Sequence, residues 1–308
     1  MIQNVSFPIA LGCMSLTGTW NPKDVNAEVE QRAIRAFEAA FEAGITFYDH
    51  ADIYGGGSCE EVFKKCLQAV PGSREKIQIA TKGGIRSGHY NLSAPYLKEC
   101  IARSLRRMGI EYIDLYQVHR PDPYTHPRET ASILNDAVKQ GVIRQVGVSN
   151  YYPEQVRALQ TYLDVPIVSN QVRISLYHLE PIYEGLDWGG ATSGYSQAGN
   201  GVLDQCMALG MTPLAYSPLG GGGIAREGKK DERQQAISDQ LQAFAEKYNH
   251  TPTQVAIAWL SSHPAGIIPL VGSANPDHIR EAAGAADLKL EREDWFKLWT
   301  AAWGRKVP

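Results

Sequence analysis

Four residues suited to proton transfer stand at or beside the ends of successive apolar segments. Asp49 closes Ile45-Thr46-Phe47-Tyr48, and Tyr54 follows five residues on. Lys82 ends the run Ile77 to Thr81, and His119 ends the run Ile113 to Val118. A free phenol has a pKa of about 10 and is a weak acid at neutral pH. A neighbouring ammonium stabilises the phenolate and lowers that value. Asp49 can hold Lys82 charged and aimed, and His119 can orient a carbonyl or share the proton. Brought together, the four predict a site that protonates an oxygen as negative charge develops on it. A lysine in such a place has a second chemistry, Schiff-base formation with a carbonyl substrate. That alternative gives Tyr54 no task.

A second group lies further along. Ser217, Leu219 and Gly220 follow the run Met211 to Tyr216, and Gly272, Ser273 and Asn275 follow Ile267 to Val271 and open a helix. Backbone N–H groups free of bulky side chains can approach a phosphate there. Between the two groups sit Ser149, Asn150 and Gln171, donors and acceptors suited to a neutral amide such as that of nicotinamide. The ring of Tyr216 can stack on a flat heterocycle. No metal site emerges, because H-E-x-x-H and any Cys/His cluster with ligand spacing are missing from the sequence. G-x-G-x-x-G and G-x-S-x-G are missing too, and Gly55-Gly56-Gly57-Ser58 lacks the lysine of a P-loop.

The elements that must position these residues alternate along the chain. Ala33, Ile34, Phe37, Ala40 and Phe41 follow helical spacing, and Gly44 stops that helix before the Ile45 strand. Helices are expected over about 59–69, 94–108 and 128–140, each ahead of the next apolar run. Thr251-Pro252-Thr253-Gln254 reads as a capped helix start, and Asn275-Pro276 as another. Counting from Ile9–Cys13 gives eight strands. Asp49, Lys82, His119 and Asn150 are each between thirty and forty residues apart, the length of a strand, a helix and two loops. Near-continuous apolar strands imply a parallel sheet covered by helices, and eight such units favour a closed (β/α)8 TIM barrel of the α/β class. No linker divides the chain, so residues 1–308 are expected to form a single domain. Long loops at 185–201 and 219–233 are placed where barrel specificity resides.

Composition narrows the partners. The formal net charge is −3, with 44% hydrophobic and 20% charged residues and no long run of one sign. That argues against nucleic acid or an anionic membrane as the main partner. The five cysteines are scattered, as in a reduced cytoplasm. No apolar run approaches the roughly 18 residues of a membrane span, and a basic leader region is missing. A cytoplasmic location is the expectation.

In order along the chain, these motifs resemble the aldo-keto reductases, most closely the bacterial YdhF-type subgroup. Tyr48 to Gly55 is similar to the family's D-T-A-x-x-Y-G, with His50 in place of Thr. Ala80-Thr81-Lys82-Gly83 resembles its lysine strand and Asp114 to Asp122 its histidine strand. Gly147 to Asn150 and Asn170 to Val172 resemble its nicotinamide-binding turns, and Leu214 to Gly220 its ring-stacking tyrosine and pyrophosphate loop. The resemblance implies reduction of aldehydes or ketones to alcohols by hydride from NADP(H), with NAD(H) not excluded. By carry-over, Asp49, Tyr54, Lys82 and His119 are catalytic, Tyr54 being the proton donor. Ser149, Asn150 and Gln171 hold the carboxamide, and Tyr216 stacks on the ring. The pyrophosphate and adenosine would fall to Ser217, Leu219, Gly220, Gly272, Ser273, Asn275, His278 and Glu281. The cation the family often places after strand eight is missing here, with Arg280, Arg226, Lys229 and Lys230 as substitutes. Trp20, His89, Tyr90, Tyr124 and Trp188 are the expected pocket walls. The short segment after the last helix implies an open pocket accepting many small aldehydes and ketones. A monomer is the family's commoner habit, and its redox-sensing channel subunits give a second, non-enzymatic reading.

Overall fold

Short β-branched and aliphatic runs, buried on both faces, have their backbone groups satisfied only by neighbouring strands. In the computed structural model, which describes residues 1–183, 201–224 and 230–304, they do so by closing on themselves. The strands are β1 (Ala10–Gly12), β2 (Phe47–Asp49), β3 (Gln78–Gly83), β4 (Ile113–Val118), β5 (Ile143–Ser149), β6 (Ile167–Arg173), β7 (Thr212–Tyr216) and β8 (Ile268–Val271). Each pairs in parallel with its sequence neighbours, and β8 pairs with β1. The predicted TIM barrel is the observed fold.

Helices cover the barrel: α1 (Ala27–Glu42), α2 (Ser58–Ala69), α3 (Ala94–Met108), α4 (Pro127–Lys139), α5 (Pro153–Gln160), α6 (Val202–Leu209), α7 (Glu232–Tyr248), α8 (Pro252–Ser261), α9 (Pro276–Ala283) and α10 (Arg292–Trp303). Both expected caps form. Thr251 and Gln254 bond reciprocally across the first turn of α8, and Asn275 accepts from Asp277 N–H at the start of α9. The second strand begins at Phe47 rather than Ile45. The Ile45 N–H donates to Ala40 O at 3.0 Å, closing the end of α1 instead of joining a ladder.

Alternation along the strands sorts the side chains. Ala10, Phe47, Ala80, Leu115, Val168, Leu214 and Leu270, one from nearly every strand, meet in one apolar cluster inside the barrel. Ile2 joins them from the N-terminal ends of the strands, where its N–H donates to Thr212 Oγ1 and the Gln3 N–H to Gln145 Oε1. The lower end of the barrel is therefore plugged, and the titratable side chains of the predicted site converge at the other end. No helix among the described residues is long and apolar enough to cross a membrane.

Candidate active site

Asp49 is the hub of the upper barrel. Lys82 Nζ donates to both of its carboxylate oxygens at 2.7 Å and to His50 O at 2.8 Å. Three acceptors for one amine require three hydrogens, so Lys82 is an ammonium. Burial pulls its pKa down, and the Asp49 charge and hydrogen bonds oppose that. This commitment leaves no lone pair for Schiff-base attack. Two amides complete the hub: Gln171 Nε2 reaches Asp49 Oδ1 at 2.8 Å and Gln117 Nε2 the same oxygen at 3.3 Å. Gln117 escaped the sequence reading. Its signal was its position two residues before His119, on the same face of one strand.

Tyr54 begins a tight turn, Tyr54–Gly57, just beyond β2, and is 9% exposed. Its ring lies under the Lys82 ammonium, 5.2 Å from Nζ to the centroid, and meets the His119 ring edge-on at 6.1 Å. The four predicted residues therefore come together. The electrostatics differ from expectation. Burial raises the Tyr54 pKa well above its ordinary value, and the Asp49 charge adds to this. The ammonium's hydrogens all go to Asp49 and His50, so it acts on the phenol through the ring face and not by a direct bond. A phenol so placed keeps its proton until negative charge develops beside it. His119 is neutral, its pKa lowered to about 2 by burial and by the charges of Lys82 and Arg120. A neutral imidazole can both donate and accept.

The next three strand ends form a linked polar edge. Ser149 Oγ donates to Gln171 O at 2.9 Å, and Asn150 Nδ2 donates to Ser149 Oγ at 2.8 Å. Tyr216 OH donates to Asn150 Oδ1 at 3.0 Å. Asn150 and Ser217 have φ of 60° and 53°, a left-handed backbone uncommon outside glycine. Such strain tends to gather at binding sites. The half-buried Tyr216 ring beside this amide-and-hydroxyl edge fits a flat ring bearing a carboxamide.

The loops after β7 and β8 carry the residues expected to face the pyrophosphate and adenosine. Gly220 also has positive φ, and a Cβ there would meet the Tyr177 ring at 2.4 Å. Leu219 and Ser217 are half-buried. Ser15 Oγ donates to Gly272 O, and the Asn275 N–H donates to Ser273 Oγ. His278 is exposed, while Glu281 accepts from Thr251 Oγ1 at 2.7 Å. Of the substitute cations, Arg280 pairs with Glu42 and Asp277, and Lys230 donates to Ser238. Arg226 and Lys229 lie outside the described residues, as do Trp188 and most of the 185–201 loop.

The expected walls are uneven. Trp20 is 61% and Tyr90 42% exposed on loops after β1 and β3, with His89 on the same hairpin as Tyr90. Tyr124 is 99% exposed and walls nothing. Asp122 explains this. It accepts from Leu92 N–H, Tyr124 N–H and Thr125 Oγ1, folding its loop so that the Tyr124 ring points outward.

The comparisons agree with this geometry. Residues 8–302 match the Aldo/keto reductase family. The chain is 39% identical to a 6-dehydroglucose reductase of Novosphingobium aromaticivorans over 94% of its own length and 92% of the relative's. It is 34% identical to the oxidoreductase YdhF of Escherichia coli, covering 94% of each chain. An aldo-keto reductase of Klebsiella pneumoniae, solved in complex with NADPH, superposes with a TM-score of 0.74 at 25% identity, covering 97% of this chain and 94% of that one. A barrel with this strand order, carrying its acid, amine, phenol and imidazole at one mouth and matching over almost its whole length, belongs to the aldo/keto reductase family.

Proposed function

We propose that this chain reduces the carbonyl of a small aldehyde or ketone to an alcohol, with NADPH as the hydride source and Tyr54 as the proton donor. The observation that carries this reading is the Lys82–Asp49 ion pair, whose ammonium is fixed over the Tyr54 ring, with neutral His119 at the ring's edge. When bound, the nicotinamide supplies hydride to the carbonyl carbon. As the carbonyl oxygen becomes negative, the Tyr54 O–H gives it a proton, and the Lys82 charge offsets the phenolate left behind. His119 directs the oxygen toward the phenol. Asp49 keeps the ammonium in place and is itself steadied by Gln117 and Gln171.

NADPH is favoured by the Klebsiella neighbour's bound cofactor, and NADH is the competitor to be measured beside it. The relative named 6-dehydroglucose reductase puts hydroxyl-bearing carbonyl compounds at the head of the substrate panel. Tyr54→Phe is expected to lower kcat by about 10²- to 10⁴-fold, while NADPH binding, followed by fluorescence quenching, is unchanged. A near wild-type rate in that variant would overturn the reading.

A further inference from the structure

A second set of charged side chains lies behind the barrel wall, between β3, α2 and α3, outside the site described above. Asp52 sits midway between Asp49 and Tyr54 and is held at three points. Its N–H donates to Lys82 O at 2.9 Å, its carbonyl accepts from Arg107 Nη1 at 2.8 Å, and its carboxylate accepts from Arg103 Nη2 at 2.8 Å. Arg107 also reaches Glu60 Oε2 at 3.3 Å. The other Glu60 oxygen accepts from Thr81 Oγ1 at 2.8 Å, and Thr81 directly precedes Lys82. Both carboxylate side chains are fully enclosed.

One guanidinium therefore ties the Tyr54 segment to the Lys82 strand. Its fit depends on a glycine. A Cβ on Gly57, at φ +103° and closing the Tyr54 turn, would meet Arg107 Nη2 at 2.2 Å and Cζ at 2.3 Å. Buried ion pairs are poor sources of net stability, because desolvation offsets the attraction. What they give is a fixed geometry, since each partner left alone is an uncompensated buried charge.

We propose that Arg107, through the Asp52 carbonyl and the Glu60 carboxylate, is a positioning residue that sets the distance between Tyr54 and the Lys82–Asp49 pair. This rests on Tyr54 being the proton donor. Displacement of a reacting group by about an ångström costs about 100-fold in rate. Arg107→Lys keeps a charge, but its shorter stem and compact, freely rotating ammonium do not reproduce the reach and planar direction of the guanidinium.

The test measures carbonyl reduction and NADPH binding in Arg107→Lys and Gly57→Ala, each in the wild-type and Tyr54→Phe backgrounds. Gly57→Ala displaces the same guanidinium with Arg107 left in the sequence. The expected result is a fall in kcat of about 10- to 100-fold with cofactor affinity unchanged. In the Tyr54→Phe background the same substitutions should produce no further fall, because they act through the hydroxyl already removed. Equal falls in both backgrounds, or none in either, overturn the inference while Tyr54 stands. Failure of both variants to fold, judged by circular dichroism, also overturns it in favour of a purely structural role. If Tyr54→Phe alone retains the wild-type rate, the proton-donor reading has failed instead.

Discussion

His50 serves two faces of the barrel wall at once. Its carbonyl is the third acceptor for Lys82, and its ring packs edge-on against Phe63 at 4.3 Å. Among the described residues neither ring nitrogen has a hydrogen-bond partner. Burial, helped by the Lys82 charge, lowers its pKa from the usual 6.5 to about 3. The folded pKa lies below the unfolded one, so between those values only the unfolded chain binds the proton. His50 thus contributes its full stability above about pH 6.5 and loses it as pH falls toward 3, by about 1.4 kcal/mol per pH unit. His119 acts in the same direction, down to about pH 2. Replacing His50 by the family's Thr is expected to flatten the acid side of the stability profile by one proton's slope; urea midpoints at pH 7 and pH 5 measure it. At this scale the four residues proposed for catalysis were legible because their side chains titrate and recur at strand ends. Gln117 was not, since an uncharged amide inside an apolar strand looks like an isolated polar residue until the strand's facing is known.

The strand ends act as rigid brackets. At the end of β5, Asn150 spends its left-handed backbone on turning its amide between Ser149 and Tyr216. Glycine tolerates that backbone, and other residues are strained by about 1–2 kcal/mol. Asn150→Ala should therefore be less stable than Asn150→Gly by about that amount in chemical denaturation. Both should weaken nicotinamide-cofactor binding alike, since both lack the amide; equal stability of the two variants would refute the strain argument. Element boundaries were legible where the signal is local. The Thr251 and Asn275 caps are set by side chains within one turn. The start of β2 was not, because Ile45 fits a strand by composition and is drawn to α1 by a hydrogen bond to Ala40. The outward-facing Tyr124 was likewise hidden, because only the three bonds to Asp122 fix its direction.

Across the whole molecule, the eightfold rhythm of apolar runs was enough to read the barrel, because each strand-helix unit must bury both faces of its strand. The Ile2 plug was not readable, since the leading residues carry no periodicity. The inner cluster should govern stability: Leu115→Ala is expected to cost about 2–5 kcal/mol, read from the shift in denaturant midpoint. With the lower end filled, substrate and solvent share the upper mouth as their entrance. The Asp49 hub spans that mouth, drawing donors from β3, β4 and β6 onto one carboxylate. Gln171 is therefore claimed twice, by Asp49 and by any amide that docks at the β5–β6 edge. A ligand that turns the Gln171 side chain toward itself removes one donor from Asp49 and leaves more of its charge for Lys82. Thermodynamic reciprocity then makes the strength of the Lys82–Asp49 pair a determinant of that ligand's affinity. On the proposed function, the seat of the hydride carrier and the source of the proton are two ends of one equilibrium.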